Sequence, residues 1–314
     1  MFSDTQKIGS KVKHKMAEKL NQISDLETKI FSLEQKLKIF ETWVPPGHFY
    51  SPLPDLDKVK LREKEIFSRD LCEIPGIDLN EEGQLKLFNE LKRYYKEQPF
   101  KPNKNPDLRY FFENPNYSYT DAIVLHCMIR HLKPKKIIEI GAGFSSCVIL
   151  DTNELFFNNE ISCTFVEPYP ELLKSLLKKG DDATITIMEK NLQDVDISTF
   201  KKLESNDILF IDSSHVSKIN SDVNRIMFEI LPSINSGVYI HFHDIFYPFE
   251  YPKEWIYGGK AWNEAYLLRA FLQYNNIFKI QLFITFLTQF HIEEFLEMSE
   301  CMKNLGGNFW IKKI

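Results

Sequence analysis

Two glycines, two adjacent hydroxyls and an acid gather in one short stretch, Glu139-Ile140-Gly141-Ala142-Gly143-Phe144-Ser145-Ser146. Glycines at this spacing let a backbone turn sharply and approach a ligand, and N–H groups exposed at the start of a following helix favour an electron-rich group. A second acid, Glu167, follows the apolar run Cys163-Thr164-Phe165-Val166. At the end of the second strand of an α/β sheet, such a carboxylate can accept both ribose hydroxyls of a bound nucleoside. The turn alone also suits a purely structural bend, and the acid alone a solvated strand end. Together they point to a nucleoside-type cofactor. Further along, Asp212-Ser213-Ser214-His215 and His241-Phe242-His243-Asp244 set acids and histidines behind two more apolar runs.

Residues at strand ends need a sheet to hold them. From about residue 121, short apolar runs alternate with amphipathic stretches such as Ala261–Tyr274. The candidate strands are Lys136–Ile140, Ser162–Val166, Thr184–Met188, Asp207–Ile211, Val238–Phe242, Phe278–Phe286 and Asn308–Lys312. Strands alternating with helices predict βαβ units and a parallel sheet covered on both faces, with ligands bound at the carboxyl ends of the strands near the topological switch point.

The stretch from about residue 10 to 45 is charged and lacks glycine and proline, and Leu26, Ile30, Leu33, Leu37, Phe40 and Val44 recur in steps of four and three. This spacing predicts a helix with a coiled-coil seam, open either to self-association or to docking on its own chain. Pro45, Pro46, Pro52 and Pro54 with Gly47 end it, because proline removes a backbone donor and clashes with the preceding turn. Residues 46–120 read as a linker and irregular cap, with a helical pattern around 81–97. The aromatic segment around His48, Phe49 and Tyr50 is a candidate lid. The expected organisation is therefore 1–45 N-terminal helix, 46–120 linker and cap, and 121–314 catalytic domain.

The segment from about Tyr119 to Ile314 resembles a class I S-adenosylmethionine-dependent methyltransferase. The first motif of that superfamily is matched by Glu139-Ile-Gly-Ala-Gly, and its ribose-binding acid by Glu167. The ordered set Asn191-Leu192-Gln193-Asp194, Phe210-Ile211-Asp212-Ser213-Ser214-His215, His241-Phe242-His243-Asp244-Ile245-Phe246 and Trp262-Asn263-Glu264 is similar to a bacterial subgroup of these enzymes. The resemblance implies a Rossmann-like α/β fold of seven strands with the last antiparallel, preceded by the helical extension and cap. It also implies a cofactor lying across the first two strands. Gly141 and Gly143 would pass under the methionine moiety, Ser145 or Ser146 would meet its carboxylate, Gln193 and Asp194 the adenine edge, and Asp212 the region of the transferred methyl.

In-line methyl transfer asks a protein to align acceptor and methyl and to exclude water. A hydroxyl acceptor must also lose a proton. His215 and His243 sit beyond adjacent strand ends and suit that task at neutral pH, with Asp244 orienting His243. Each histidine equally suits a structural hydrogen bond, and His241 falls mid-strand. Asp212 and Asp244 are also placed as related metal-dependent O-methyltransferases place Mg²⁺ ligands. Those relatives present a third acid or amide where His243 stands here, so a divalent metal is not favoured. The aromatic loop from Tyr247 to Gly259 is a candidate acceptor surface, or a packing partner of the linker.

The chain has 314 residues, 12 glycines, 15 prolines and a net charge of −5. No basic block supplies a phosphate-neutralising surface, so nucleic acid is not an expected partner. No run is apolar enough to span a membrane or act as a signal peptide, which predicts a cytoplasmic protein. The five scattered cysteines, without a C-x-x-C pair, read as buried thiols. The leading expectation is an S-adenosylmethionine-dependent methyltransferase acting on oxygen of a small molecule or saccharide, assembling as a homo-oligomer if the seam pairs. Two alternatives stay open: an oxidoreductase using a dinucleotide, against which Ser146 stands in place of the third fingerprint glycine, and a non-catalytic scaffold assembled through the helix.

Overall fold

The computed structural model describes residues 2–38 and 43–314. It divides between Leu61 and Arg62 into two compact units. Of the expected cap, residues 46–61 fall in the first unit and residues 62–120 in the larger one.

In the first unit, α1 runs from Phe2 to Lys38. It exposes the expected stripe, including Leu26, Ile30, Leu33 and Leu37; Phe40 lies outside the described residues. The linker rings Trp43 and Phe49 are 84% and 90% exposed.

In the second unit, α2 (Glu81–Tyr95) and α3 (Tyr119–Leu132) precede the sheet. Then follow β1 (Lys136–Ile140), α4 (Phe144–Phe157), β2 (Ser162–Val166), β3 (Thr186–Met188), β4 (Ile208–Ile211), β5 (Tyr239–Phe242), α5 (Glu264–Leu272), β6 (Phe278–Phe283), α6 (Ile284–Phe290) and β7 (Phe309–Lys313). The seven strands lie in the order β3-β2-β1-β4-β5-β7-β6. Strands β1 to β5 pair in parallel, and β7 is antiparallel to both β5 and β6. The sheet reverses its direction of growth at β1/β4, which opens a crevice beyond their carboxyl ends.

Parallel strands covered on both faces must be apolar along their whole length. Accordingly β4 and β5 are buried at every residue, and Phe165, Phe210, Phe242 and Trp310 are fully enclosed. Each such large side chain contributes about 1.5–3 kcal/mol.

Two expectations are corrected. The strand expected over Phe278–Phe286 stops at Phe283, where the chain turns into α6. Its apolar run continues through the turn because the first residues of α6, Ile284 to Leu287, are themselves buried. Of the five cysteines, Cys127, Cys147, Cys163 and Cys301 are buried free thiols, but Cys72 is exposed because it lies in irregular chain outside the core.

The chain preceding α3 is held to the sheet unit by Arg109. Its guanidinium, 4% exposed, reaches Asp151 at 2.8 Å, Glu154 at 2.6 Å and Asp181. Asp151 also accepts the amides of Arg109 and Tyr110. Removing one partner of a buried ion pair leaves charge uncompensated, at a cost of about 3–5 kcal/mol. Arg109→Ala is therefore expected to lower the unfolding midpoint by several degrees or more, read by calorimetry. A melting point equal to wild type would mean that this clamp contributes nothing net.

Candidate active site

The turn after β1 is a position that only glycine can fill without displacement. Gly141 has φ +80°, and a Cβ there would stand 1.9 Å from the carbonyl oxygen of Asp212. That closeness arises because the β1–β4 ladder continues past both strands, with the Asp212 amide donating to the Ile140 carbonyl at 2.8 Å. Gly143 differs: its backbone is extended, and an added Cβ would meet only the Leu172 side chain at 3.4 Å.

Glu139 is fully buried beneath the turn and accepts hydrogen bonds from the hydroxyls of Ser145 and Ser146. Burial pushes its carboxyl up to about 8, although both serines favour the charged form. The Ser146 hydroxyl also accepts the Gly143 amide at 3.0 Å. Both serine hydroxyls thus point inward and staple the turn to β1. An enclosed acid needs donors, and these two supply them; Ser145 also lines the smaller of the two cavities at the turn, whereas Ser146 lines neither.

Glu167 stands half-buried beyond β2. One carboxylate oxygen accepts the Ala142 amide at 3.1 Å and the other the Tyr169 amide at 2.8 Å. Each oxygen keeps a further acceptor site. Glu167, Gly141, Gln193 and Asp212 together wall a cavity of about 490 Å³ at the switch point, within the usual range for a small-ligand site. Asn191 and Leu192 complete the wall near Gln193, whereas Asp194 is exposed and does not line it. An adjoining cavity of about 180 Å³ shares Gly141, Glu167 and Asp212 and is closed by Asn116 and Tyr117. Neither of these last two was anticipated, because they come from chain preceding the sheet.

Beyond β4 and β5 lies a cluster of histidines and acids. The His215 ring is 2.8 Å from Glu264 through Nδ1 and 3.2 Å from Asp212 through Nε2, and Trp262 lies over it with ring centroids 4.2 Å apart. Glu264 also accepts the Ser213 hydroxyl at 3.0 Å. Burial disfavours charge on His215, yet the bonds to Asp212 and Glu264 outweigh it and lift its pKa to about 10. With a proton on each nitrogen it is a cation that has no lone pair to offer.

His243 is placed by its amide, which donates to Ile211 at 2.9 Å, and its Nε2 lies 3.5 Å from Asp244. Its Nδ1 is buried and has no hydrogen-bond partner among the described residues. Burial works against charge here too, but the carboxylates of Asp244, Asp212 and Asp121 prevail and raise the pKa above the ordinary histidine value. Asp212 is correspondingly held below its usual range: burial opposes this, and His243 and His215 overcome it. Asp121, from α3, is pushed by burial to about 6 and accepts from the Gly307 amide and the Asn308 side chain. His241 lies mid-strand between Phe210 and Trp310, with centroids 4.2 and 4.7 Å away. Burial holds its pKa well below the ordinary value, so it packs as a neutral ring.

Asp212 and Asp244 are turned toward histidines, a donor set that does not suit a hard divalent cation. Among the described residues no group of three or more such side chains is arranged to hold a metal ion. In the aromatic loop, Tyr247, Phe249 and Tyr251 are buried, and only Trp255 and Tyr257 of its rings are half-buried. The loop is tied down by Glu63, which meets Lys253 at 2.9 Å and the Tyr257 hydroxyl at 2.8 Å. Among the described residues no helix is long and apolar enough to cross a membrane.

A family described as a methyltransferase domain matches residues 138–245. An uncharacterised protein of Archaeoglobus fulgidus is 38% identical over 167 residues, covering 52% of this chain and 74% of that protein. Among solved structures, the S-adenosylhomocysteine-bound Podospora anserina methyltransferase PaMTH1 is 14% identical, covering 87% of this chain and 99% of that one with a TM-score of 0.43. The O-methyltransferase TomG of Streptomyces achromogenes is 12% identical, covering 82% of this chain and 96% of that one with a TM-score of 0.42.

Proposed function

We propose that this chain, which belongs to the class I S-adenosylmethionine-dependent methyltransferase superfamily, methylates an oxygen of a small molecule or saccharide. One observation carries the placement of the cofactor: the cavity at the β1/β4 switch point, walled by Gly141, Glu167, Gln193 and Asp212. Its volume suits a nucleoside bearing an amino-acid tail, and its donor set suits one too. The free acceptor sites of Glu167 serve a ribose diol, and Gly141 brings the backbone close. Asn191 and Gln193 offer polar edges to a base, and Asp212 stands where the two cavities meet. Glu139, Ser145 and Ser146 support the turn from beneath, and Gly143 borders the smaller cavity.

S-adenosylmethionine supplies an electrophilic methyl group on a sulfonium. What remains for the protein is alignment, exclusion of water and removal of the acceptor's proton. His243 takes the base role in this reading: three carboxylates strengthen its basicity, and Tyr117, whose ring centroid lies 5.1 Å from its own, lines the smaller cavity. Asp244 orients it. His215, doubly hydrogen-bonded and charged, fits a positioning role that holds Asp212 in place. No step in this reading passes through a metal. The net charge of −5 supports a small-molecule acceptor over a nucleic acid.

The cofactor assignment is tested with Glu167→Ala. Two hydrogen bonds to a charged group contribute about 1.5–3 kcal/mol each, so titration calorimetry with S-adenosylhomocysteine is expected to show affinity falling by at least about tenfold. Unchanged affinity would remove Glu167 from the ribose site.

A further inference from the structure

We infer that the exposed seam of α1 is the interface for a second copy of this chain, joined in parallel as a two-stranded coiled coil. Ile23, Leu26, Ile30, Leu33 and Leu37 stand 50–65% exposed along one face of the helix. Written as heptads, Ile23, Ile30 and Leu37 fall at a, and Leu26 and Leu33 at d. Isoleucine at a with leucine at d favours two parallel strands, because the β-branched side chain packs well only in the geometry that a parallel dimer gives its a layer.

The flanking charges choose the same orientation. The e positions carry Glu27 and Glu34, and the g positions before the second and third a residues carry Lys29 and Lys36. In a parallel pair each g residue faces the e residue five places on in the partner, so Lys29 meets Glu34, an opposite charge. In an antiparallel pair g faces g and e faces e, which sets lysine against lysine and glutamate against glutamate. Among the described residues Glu27, Lys29, Glu34 and Lys36 make no ion pair within their own chain, leaving that complementarity to a partner. Lys19 occupies a d position and ends the seam on its N-terminal side.

This inference does not rest on the methyl-transfer reading. Sedimentation equilibrium of the full chain is expected to give twice the 37.0 kDa mass of a single chain at high concentration. The variant Lys29→Glu and the variant Glu34→Lys should each sediment at the single-chain mass, and an equimolar mixture should recover the doubled mass. Leu37→Cys in a Cys72→Ser background should form an interchain disulfide on mild oxidation, because only a parallel register brings that residue opposite itself. A monomer at every concentration, a trimer or tetramer, charge-reversed variants that still dimerise alone, or failure of Leu37→Cys to cross-link would each overturn the inference.

Discussion

Gly141→Ala is expected to weaken S-adenosylhomocysteine binding by about 100-fold or more, the loss that a displacement of about 1 Å in a positioning element can produce. Gly143→Ala, two residues on, is expected to stay within roughly threefold of wild type, as a substitution that disturbs no special feature. Space and backbone conformation set the two apart. At Gly141 the left-handed φ of +80° alone costs an L-residue about 1–2 kcal/mol. The new Cβ would also overlap the Asp212 carbonyl, 1.9 Å away, and neither β1 nor β4 can yield, because the Asp212 amide is bonded to Ile140. The loop must move out into the cavity it lines. At Gly143 the backbone is extended, a conformation open to any residue, and the nearest atom is the end of a leucine side chain. Titration calorimetry with melting curves on the same preparations separates lost binding from lost fold. Equal affinities for Gly141→Ala and wild type would mean that the bend is structural and the cofactor lies elsewhere.

How much of this was legible beforehand depended on how far apart the interacting residues lie. Strands β1 and β2 run over the residues expected, since short β-branched and apolar runs between turn signals have one good reading. The run from Phe278 was over-extended for the opposite reason: a buried strand followed at once by a buried helix leaves only Thr285, itself buried, as a polar residue at the junction. Gly141 and Glu167 could be read because the glycine turn and the acid are coupled by the regular βα repeat. The inward turn of Ser145 and Ser146 could not, since it is a rotamer choice set by the buried Glu139. His215 was legible as a polar residue at a strand end. Its state was not, because Glu264, the partner that helps keep it charged, sits 49 positions away at the start of α5. Asp121 and Tyr117 were missed for the same reason, and neither carries a local motif.

His243→Gln is expected to lower kcat for methyl transfer by about 10²–10⁴-fold, the usual contribution of a general base, while S-adenosylhomocysteine affinity stays near wild type. Glutamine keeps a polar side chain of similar reach in the buried site and removes only the titratable nitrogen, so folding is conserved where alanine would leave a void. Turnover is followed as transfer of a radiolabelled methyl group to an acceptor found in a panel of phenols and saccharides. The pH dependence supplies a readout that a structural histidine would not move. His243 serves as base only when neutral, and the carboxylates of Asp244, Asp212 and Asp121 raise its pKa above 6.5. The rate should therefore climb as pH rises toward that elevated value and level off beyond it. In Asp244→Asn, loss of the largest favourable charge lowers the His243 pKa, so the climbing limb should move to lower pH. His215 predicts no such limb near neutrality, since its pKa of about 10 keeps it charged throughout that range. Turnover in His243→Gln equal to wild type, or a climbing limb that stays in place in Asp244→Asn, would take the proton-accepting role away from His243 and leave alignment over the sheet as the protein's main contribution to the reaction.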